Sequence, residues 1–336
     1  MGSTIQWHVS AEPEAATEYA GTKLGDYFTN PDVMLETEIR TRKRFHHLYR
    51  YGPPEIDAVW VFPVFYTVAC ILGAKLVLRE DASPQIAGRV ITDLNEIAKL
   101  RVPGSVEGAG YVPEVIRQYE YLRKKTVVTG VRPVFGLHNQ SPLGTAIVLR
   151  GADLFRDIVT NPGEIRALLE VITETALRVV RFQEEFTGER VERIGMDDDY
   201  GGLVSPSLYA EFNFPYMKSI YDESGPAGRF LHSETLGPGH LRFLRELGIT
   251  HYDAWPYHTL TVGRVKQELP DTYFTWNPET TRDLFLDNPK RVKAKFREAL
   301  AAGAPGIQLC LCARGVPEEN VRAFIEVARE TESQPS

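Results

Sequence analysis

The chain has only three cysteines in 336 residues, Cys70, Cys310 and Cys312. So sparse and odd a set, without framework spacing, excludes a disulfide-stapled secreted domain and suits a reducing cytoplasm. Positive charge is also in deficit: 38 Lys and Arg against 45 Asp and Glu give a net charge of −7. That balance argues against a protein held to nucleic acid by phosphate contacts. No basic segment leads into an apolar core at the N-terminus, so no signal sequence is expected. The apolar uncharged stretch 58–74 is broken by Pro63 and bounded by Asp57 and Lys75. It is at the lower limit for a bilayer span, and a buried strand followed by a short buried helix explains it better. Neither G-x-G-x-x-G after a strand nor G-x-x-x-x-G-K-[ST] occurs, which removes the two commonest nucleotide-binding signatures.

The 43 % hydrophobic and 25 % charged residues are ordinary for a globular protein with a sizeable core. After a helical pattern at residues 30–50, short apolar runs alternate with longer amphipathic ones. Strands are expected at 58–63, 75–79, 132–138, 191–197, 229–234, 249–253, 272–276 and 306–312. Helical patterns at 161–187, 205–223, 238–247, 289–302 and 317–330 fill most gaps, several opening on Ser-Pro or Asn-Pro caps. Such alternation implies parallel βα units. About eight of them without a linker favour a single α/β domain: a (β/α)8 TIM barrel, with residues 1–55 as a helical N-terminal extension.

In a barrel the chemistry sits at the C-terminal strand ends. Residues two apart on a strand share a face, so His232 pairs with Glu234, and Cys310 with Cys312. Imidazole, carboxylate and two thiols form a borderline-soft donor set that suits zinc. The bland alternative is that the thiols are core residues and His232 a satisfied buried histidine. Asp197, Asp198 and Asp199 crowd another strand end, where they would repel one another unless a cation or donors meet them. His138, Asn139 and Gln140 end a further strand and offer hydrogen bonds to a substrate. The run from His251 to His258 adds Asp253, Trp255 and Tyr257, an aromatic wall beside polar groups.

The segment MDDDYGGLVSPSLYAEFNFPYMKSI resembles the uroporphyrinogen decarboxylase superfamily. There an acidic strand end precedes a Ser-Pro start and a Phe-x-x-Pro-Tyr pattern. LHSETLGPGHLRFLRELGITHYDAW and the C-terminal LFLDNPKRVKAKFREALAAGAPGIQLCLCARGVPEENVRAFIEVARE fit the later units of the same superfamily. AVWVFPVFYTVACILGAKLVLREDASP resembles its methyltransferase branch. The likeness covers the chain from about Asn30. The arginine-rich N-terminal motif of true decarboxylases is missing. Methylcobamide:coenzyme M members of the branch hold zinc through His-x-Cys and a C-terminal Cys. Here the motif reads His232-Ser233-Glu234, and either Cys310 or Cys312 can fill the last place.

The resemblance therefore implies a zinc-dependent methyltransferase working with cobalamin on a separate corrinoid protein, since no Asp-x-His-x-x-Gly motif occurs. Zinc would be held by His232, Glu234 and one or both of Cys310 and Cys312. Asp198, Asp199 and His138 would carry or position the reaction, and Asn139, Tyr200, Trp255, Tyr257 and Trp276 would bind substrate. A Glu ligand makes the metal a harder acid, which shifts the expectation from thiol methylation to demethylation of a methoxylated, aromatic small molecule. A methylcobamide:thiol methyltransferase and a metal-free decarboxylase are the alternatives. A homodimer is left open.

Overall fold

Asn30 accepts from the Asp32 N–H, and Pro31 presets φ, so the helix Pro31–Tyr49 begins where its cap dictates. Ser141, Ser205 and Asn288 start Pro142–Arg150, Pro206–Phe212 and Pro289–Ala301 in the same way. The helical pattern at 205–223 is two helices, Pro206–Phe212 and Phe214–Glu223, broken at Asn213. The side chain of Asn213 is spent on tertiary bonds, accepting from the Leu143 N–H and donating to Asp198.

The computed structural model describes residues 5–62, 64–255 and 260–332. Its strands are β1 (Gln6–Ala11), β2 (Ala58–Trp60), β3 (Lys75–Val77), β4 (Gln85–Ala87), β5 (Arg132–Val134), β6 (Arg193–Asp197), β7 (Gly228–Ser233), β8 (His251–Ala254), β9 (Tyr273–Trp276) and β10 (Gly306–Leu311). Six run parallel in one sheet, in the spatial order β1-β10-β9-β8-β7-β6, and β2 pairs in parallel with β5. A bridge between Gln140 and Asp197 joins the two arcs, with the Ser141 N–H donating to the Asp197 carbonyl at 2.8 Å. This is the eight-stranded parallel sheet with surrounding helices of a (β/α)8 fold. No ladder connects β1 to β2 among the described residues, and a cavity of about 440 Å³ lined by His8, Glu12, Arg42 and Trp60 lies there.

Two expectations change. Residues 75–79 do contain a strand, but it forms the antiparallel hairpin β3–β4 and takes no place in the parallel wall. The eighth parallel strand is β1, inside the segment read as helical. Only Val9 of β1 is fully buried, so the strand carries no apolar run. Its conformation comes from six register positions with β10, from Gln6↔Gly306 to Ala11↔Leu311.

The core packs the outer strand faces against the helices. Ile165, Leu168, Leu169 and Ile172 of Pro162–Thr187 recur at helical spacing and are fully buried. On the lumen side three glycines make room for aromatic rings of neighbouring strands. A Cβ on Gly136 would lie 2.6 Å from the Trp60 ring, one on Gly195 3.1 Å from the Phe230 ring, and one on Gly306 2.1 Å from the Tyr273 hydroxyl.

If β1 is part of the barrel wall, Val9→Asp buries an unpaired charge and should destabilise the whole domain by at least about 3 kcal/mol. Urea denaturation followed by circular dichroism measures this. Unchanged stability would make β1 a dispensable appendage.

Candidate active site at the barrel mouth

His232 is the last lumen-facing residue of β7. Asp197, His232, Asp253 and Thr275 lie level across β6, β7, β8 and β9. Pleating turns all four to the same face. The His232 Nδ1–H donates to Asp253 Oδ2 at 2.8 Å. The same oxygen accepts from Trp255 Nε1 at 3.0 Å, and Oδ1 accepts from Thr275 Oγ1 at 2.9 Å and Asn277 Nδ2 at 2.5 Å. Burial pushes the Asp253 carboxyl up, but these bonds and the His232 charge outweigh it and hold the group below its usual value. For His232, burial favours the neutral ring. The hydrogen bond and charge of Asp253, with Asp197 and Asp199, override it and raise the imidazole to about 10. His232 is therefore an imidazolium at neutral pH, with Nε2 facing Asp199 Oδ1 at 3.4 Å.

Other carboxyls crowd this cation. Burial, with neighbouring acids, lifts Asp197 to about 7 and Asp199 to about 6 despite His232. Asp199 Oδ1 is buried without a hydrogen-bond partner. Glu12, directly after β1, accepts from the Cys310 thiol at 3.7 Å, and burial raises its carboxyl. Cys312 Sγ lies 3.7 Å from Cys310 Sγ. Its hydrogen bond, together with burial, keeps the Cys310 thiol protonated. Burial thus shifts several groups of the mouth toward their protonated forms around one histidine.

The anticipated residues separate into three groups. Asp199, Trp255 and Tyr200 stand with His232: the Trp255 and His232 rings meet edge to face at 5.4 Å, and Tyr200 borders Asp199. Asn139 and His138 line the lumen cavity. His138 is packed by Trp60 and Phe65, and burial lowers it to about 4, so it is neutral. Asn139 is buried with its Oδ1 unpartnered.

Asp198 is turned into the wall. It is fully buried and accepts from Ser141 Oγ at 2.6 Å, Tyr209 Oη at 2.9 Å and Asn213 Nδ2 at 3.0 Å. These bonds anchor β6 to two helices and leave Asp198 no access to substrate. The glycines that follow have a steric reason: a Cβ on Gly201 would sit 2.3 Å from the Asp198 carboxylate, and one on Gly202 1.8 Å from the Thr235 carbonyl. Trp276 alternates outward and lines a separate 380 Å³ cavity with Val262 and Phe296 of the helix layer. Tyr257 lies outside the described residues.

The four residues expected to hold zinc are not brought together as one set. Glu234 bears on Asp199 and Tyr200, while the two thiols contact each other and Glu12. Among the described residues no three His, Cys, Asp or Glu side chains converge to hold an ion. Sequence reading also missed Glu12 and Trp60. The strand that delivers Glu12 was itself unrecognised, and its one local sign is Pro13 at the helix start behind it.

Fold and site together define a (β/α)8 barrel with a proton-rich, carboxyl-lined mouth. The uroporphyrinogen decarboxylase (URO-D) family model matches residues 5–331, so the chain belongs to that family. Uroporphyrinogen decarboxylase of Pseudomonas aeruginosa is 26 % identical over 231 residues, 65 % of this chain and 60 % of that protein. Methylated-thiol--coenzyme M methyltransferase of Methanosarcina mazei is 23 % identical over 264 residues, 78 % of this chain and 69 % of that one. A solved structure titled methyltransferase from Methanosarcina mazei superposes with a TM-score of 0.73 at 17 % identity, covering 99 % of this chain and 96 % of the other. At that identity the superposition establishes the fold. No helix among the described residues is long and apolar enough to cross a membrane.

Two outcomes follow from these placements. Asp198→Ala strands three buried donors and should cost about 3–5 kcal/mol in denaturant-measured stability; a loss below about 1 kcal/mol would contradict the anchoring role. Glu234→Gln should leave unchanged whatever zinc the purified protein carries, as read by elemental analysis. A drop in zinc would restore Glu234 as a ligand.

Proposed function

We propose that this protein transfers a methyl group from a methoxylated aromatic compound to cob(I)alamin on a separate corrinoid protein, as the methyl-cleaving component of an O-demethylase. The observation that carries the reading is the His232 side chain, held at Nδ1 by Asp253 with its Nε2 end directed into the mouth, where the surrounding carboxylates favour its protonated form. Cleaving a methyl ether leaves an oxyanion, and a proton delivered to that oxygen lowers the barrier. A donor near 10 is matched to a departing phenolate, whose own value is also about 10. The methylated-thiol relative supports methyl transfer as the reaction type.

Cob(I)alamin supplies the nucleophile, which takes the methyl carbon as the carbon–oxygen bond breaks. This chain's residues hold the ether with its methyl group outward and give the oxygen a proton from His232 Nε2. Trp255 and Tyr200 flank the oxygen and keep water away, and Asp253 holds the imidazolium in line.

Single-turnover formation of methylcobalamin from a methoxyarene and free cob(I)alamin, followed optically, tests the assignment. The rate should be level between pH 7 and 9 and fall as pH rises through about 10, where His232 loses its proton. His232→Gln should lower it by roughly 10²–10³ and abolish the alkaline limb. Efficient methylation of a thiol from methylcobalamin, with no ether cleaved, would return the protein to the thiol-methylating group.

A further inference from the structure

The barrel lumen is hollow where such barrels are normally packed with side chains. A cavity of about 710 Å³ runs from Asn139 and Asp197 at the mouth down to Arg193, Thr250 and His251, and extends between β5 and β6 to Val179 and Gln183 of the helix Pro162–Thr187. That volume is in the range of small-molecule sites. The lumen part of its wall carries aromatic rings. Trp60 is half-exposed to it, 52 % accessible, and leans over Gly136. Phe230, His251 and Tyr273 lie level on β7, β8 and β9, with ring centroids 5.1 Å and 4.9 Å apart.

Polarity differs between the two ends. Carboxyls ring the mouth. At the other end is Arg193, whose guanidinium makes no hydrogen bond or ion pair among the described residues. Its aliphatic stem rests on Gly228. Arg193 precedes Asp197 by four residues on β6, roughly 13 Å along the strand.

We infer that the lumen is a binding site for a planar aromatic carboxylate, with the ring between Trp60, Phe230 and His251 and the carboxylate on Arg193. The inference rests on the proposed ether cleavage for its orientation. A corrin is too wide to enter the barrel, so the methyl group must face the mouth and the rest of the donor must point down the lumen. At the mouth the His232 side chain is already met by Asp253 and Asp199, whereas the planar fork of Arg193 is free to receive the carboxylate in paired hydrogen bonds, so the carboxylate goes to Arg193 and the ether oxygen lies beside His232. Methyl donors for this chain are then methoxylated benzoates or cinnamates in preference to neutral methoxyarenes.

The test pairs equilibrium binding with turnover. Isothermal titration measures 4-hydroxybenzoate binding to the wild-type chain, Arg193→Gln and Arg193→Lys. Methylcobalamin formation is compared for 4-methoxybenzoate, 4-methoxycinnamate and methoxybenzene. Arg193→Gln should weaken 4-hydroxybenzoate binding by roughly ten- to a hundred-fold and reduce the preference for the acids over methoxybenzene by a similar factor through KM. Arg193→Lys should recover part of both, as it keeps the charge and loses the fork. Thermal melting confirms that the variants are folded; Arg193 is exposed and outside the core. Arg193-independent binding, or no preference for the acids, overturns the lumen site even if ethers are cleaved. Arg193-dependent binding with no ether cleaved upholds the lumen site and overturns the proposed reaction instead.

Discussion

One carboxylate organises the mouth of this barrel. Asp253 accepts hydrogen bonds from His232, Trp255, Thr275 and Asn277, which fill both of its oxygens from β7, β9 and the turns after β8 and β9. An ionised carboxylate in so buried a place is tolerable only when its charge is met and its lone pairs are used. Meeting that requirement fixes the strand ends relative to one another, selects the Nδ1–H of His232 as the bonded edge, and makes the imidazole a cation. The neighbouring acids then respond to the same field: Asp197 and Asp199 share one counter-charge with Asp253 and each other, and burial shifts both toward the protonated form.

A second buried carboxylate does the opposite work a few ångströms into the wall. Asp198 is adjacent in sequence to Asp197 and Asp199, yet its three donors are Tyr209 of the helix Pro206–Phe212, Asn213 at the break after it, and Ser141, the cap of Pro142–Arg150. It holds the β6 end in place so that its neighbours can face the mouth. The close approach needs Gly201 and Gly202, since a Cβ at either would overlap the Asp198 carboxylate or the Thr235 carbonyl. The Asp-Asp-Asp-Tyr-Gly-Gly run thus combines an anchor, a mouth-lining pair and a steric allowance, which separate only when the chain turns at the strand end.

The lumen follows from glycine placement in the same manner. Gly136, Gly195 and Gly306 let Trp60, Phe230 and Tyr273 lie flat against adjacent strands. A β-branched residue at any of the three would push a ring into the cavity. Space inside the barrel is a steric outcome of three missing side chains, and none of the three glycines belongs to a motif visible in the sequence.

Much of the architecture was legible beforehand. Proline-led caps placed Pro31–Tyr49 and Pro162–Thr187 within a residue, and parallel βα alternation gave the barrel class, because caps and hydrophobic period act over a few neighbouring residues. His232 and Asp199 were legible as strand-end groups from position alone. β1 was not: with only Val9 fully buried, its strand character exists in the ladder to β10. Glu12 went unnoticed with it; that Asp198 bonds into the wall and that Trp276 lines the cavity of the helix layer are placements that a strand-end position does not reveal. The sequence by itself determined which segments are strands or helices wherever local period and capping were strong, and which residue types stand at strand ends. Only the tertiary structure decided which of those groups face one another, because barrel shear offsets each strand against the next and burial sets the charge that each carboxyl and imidazole carries.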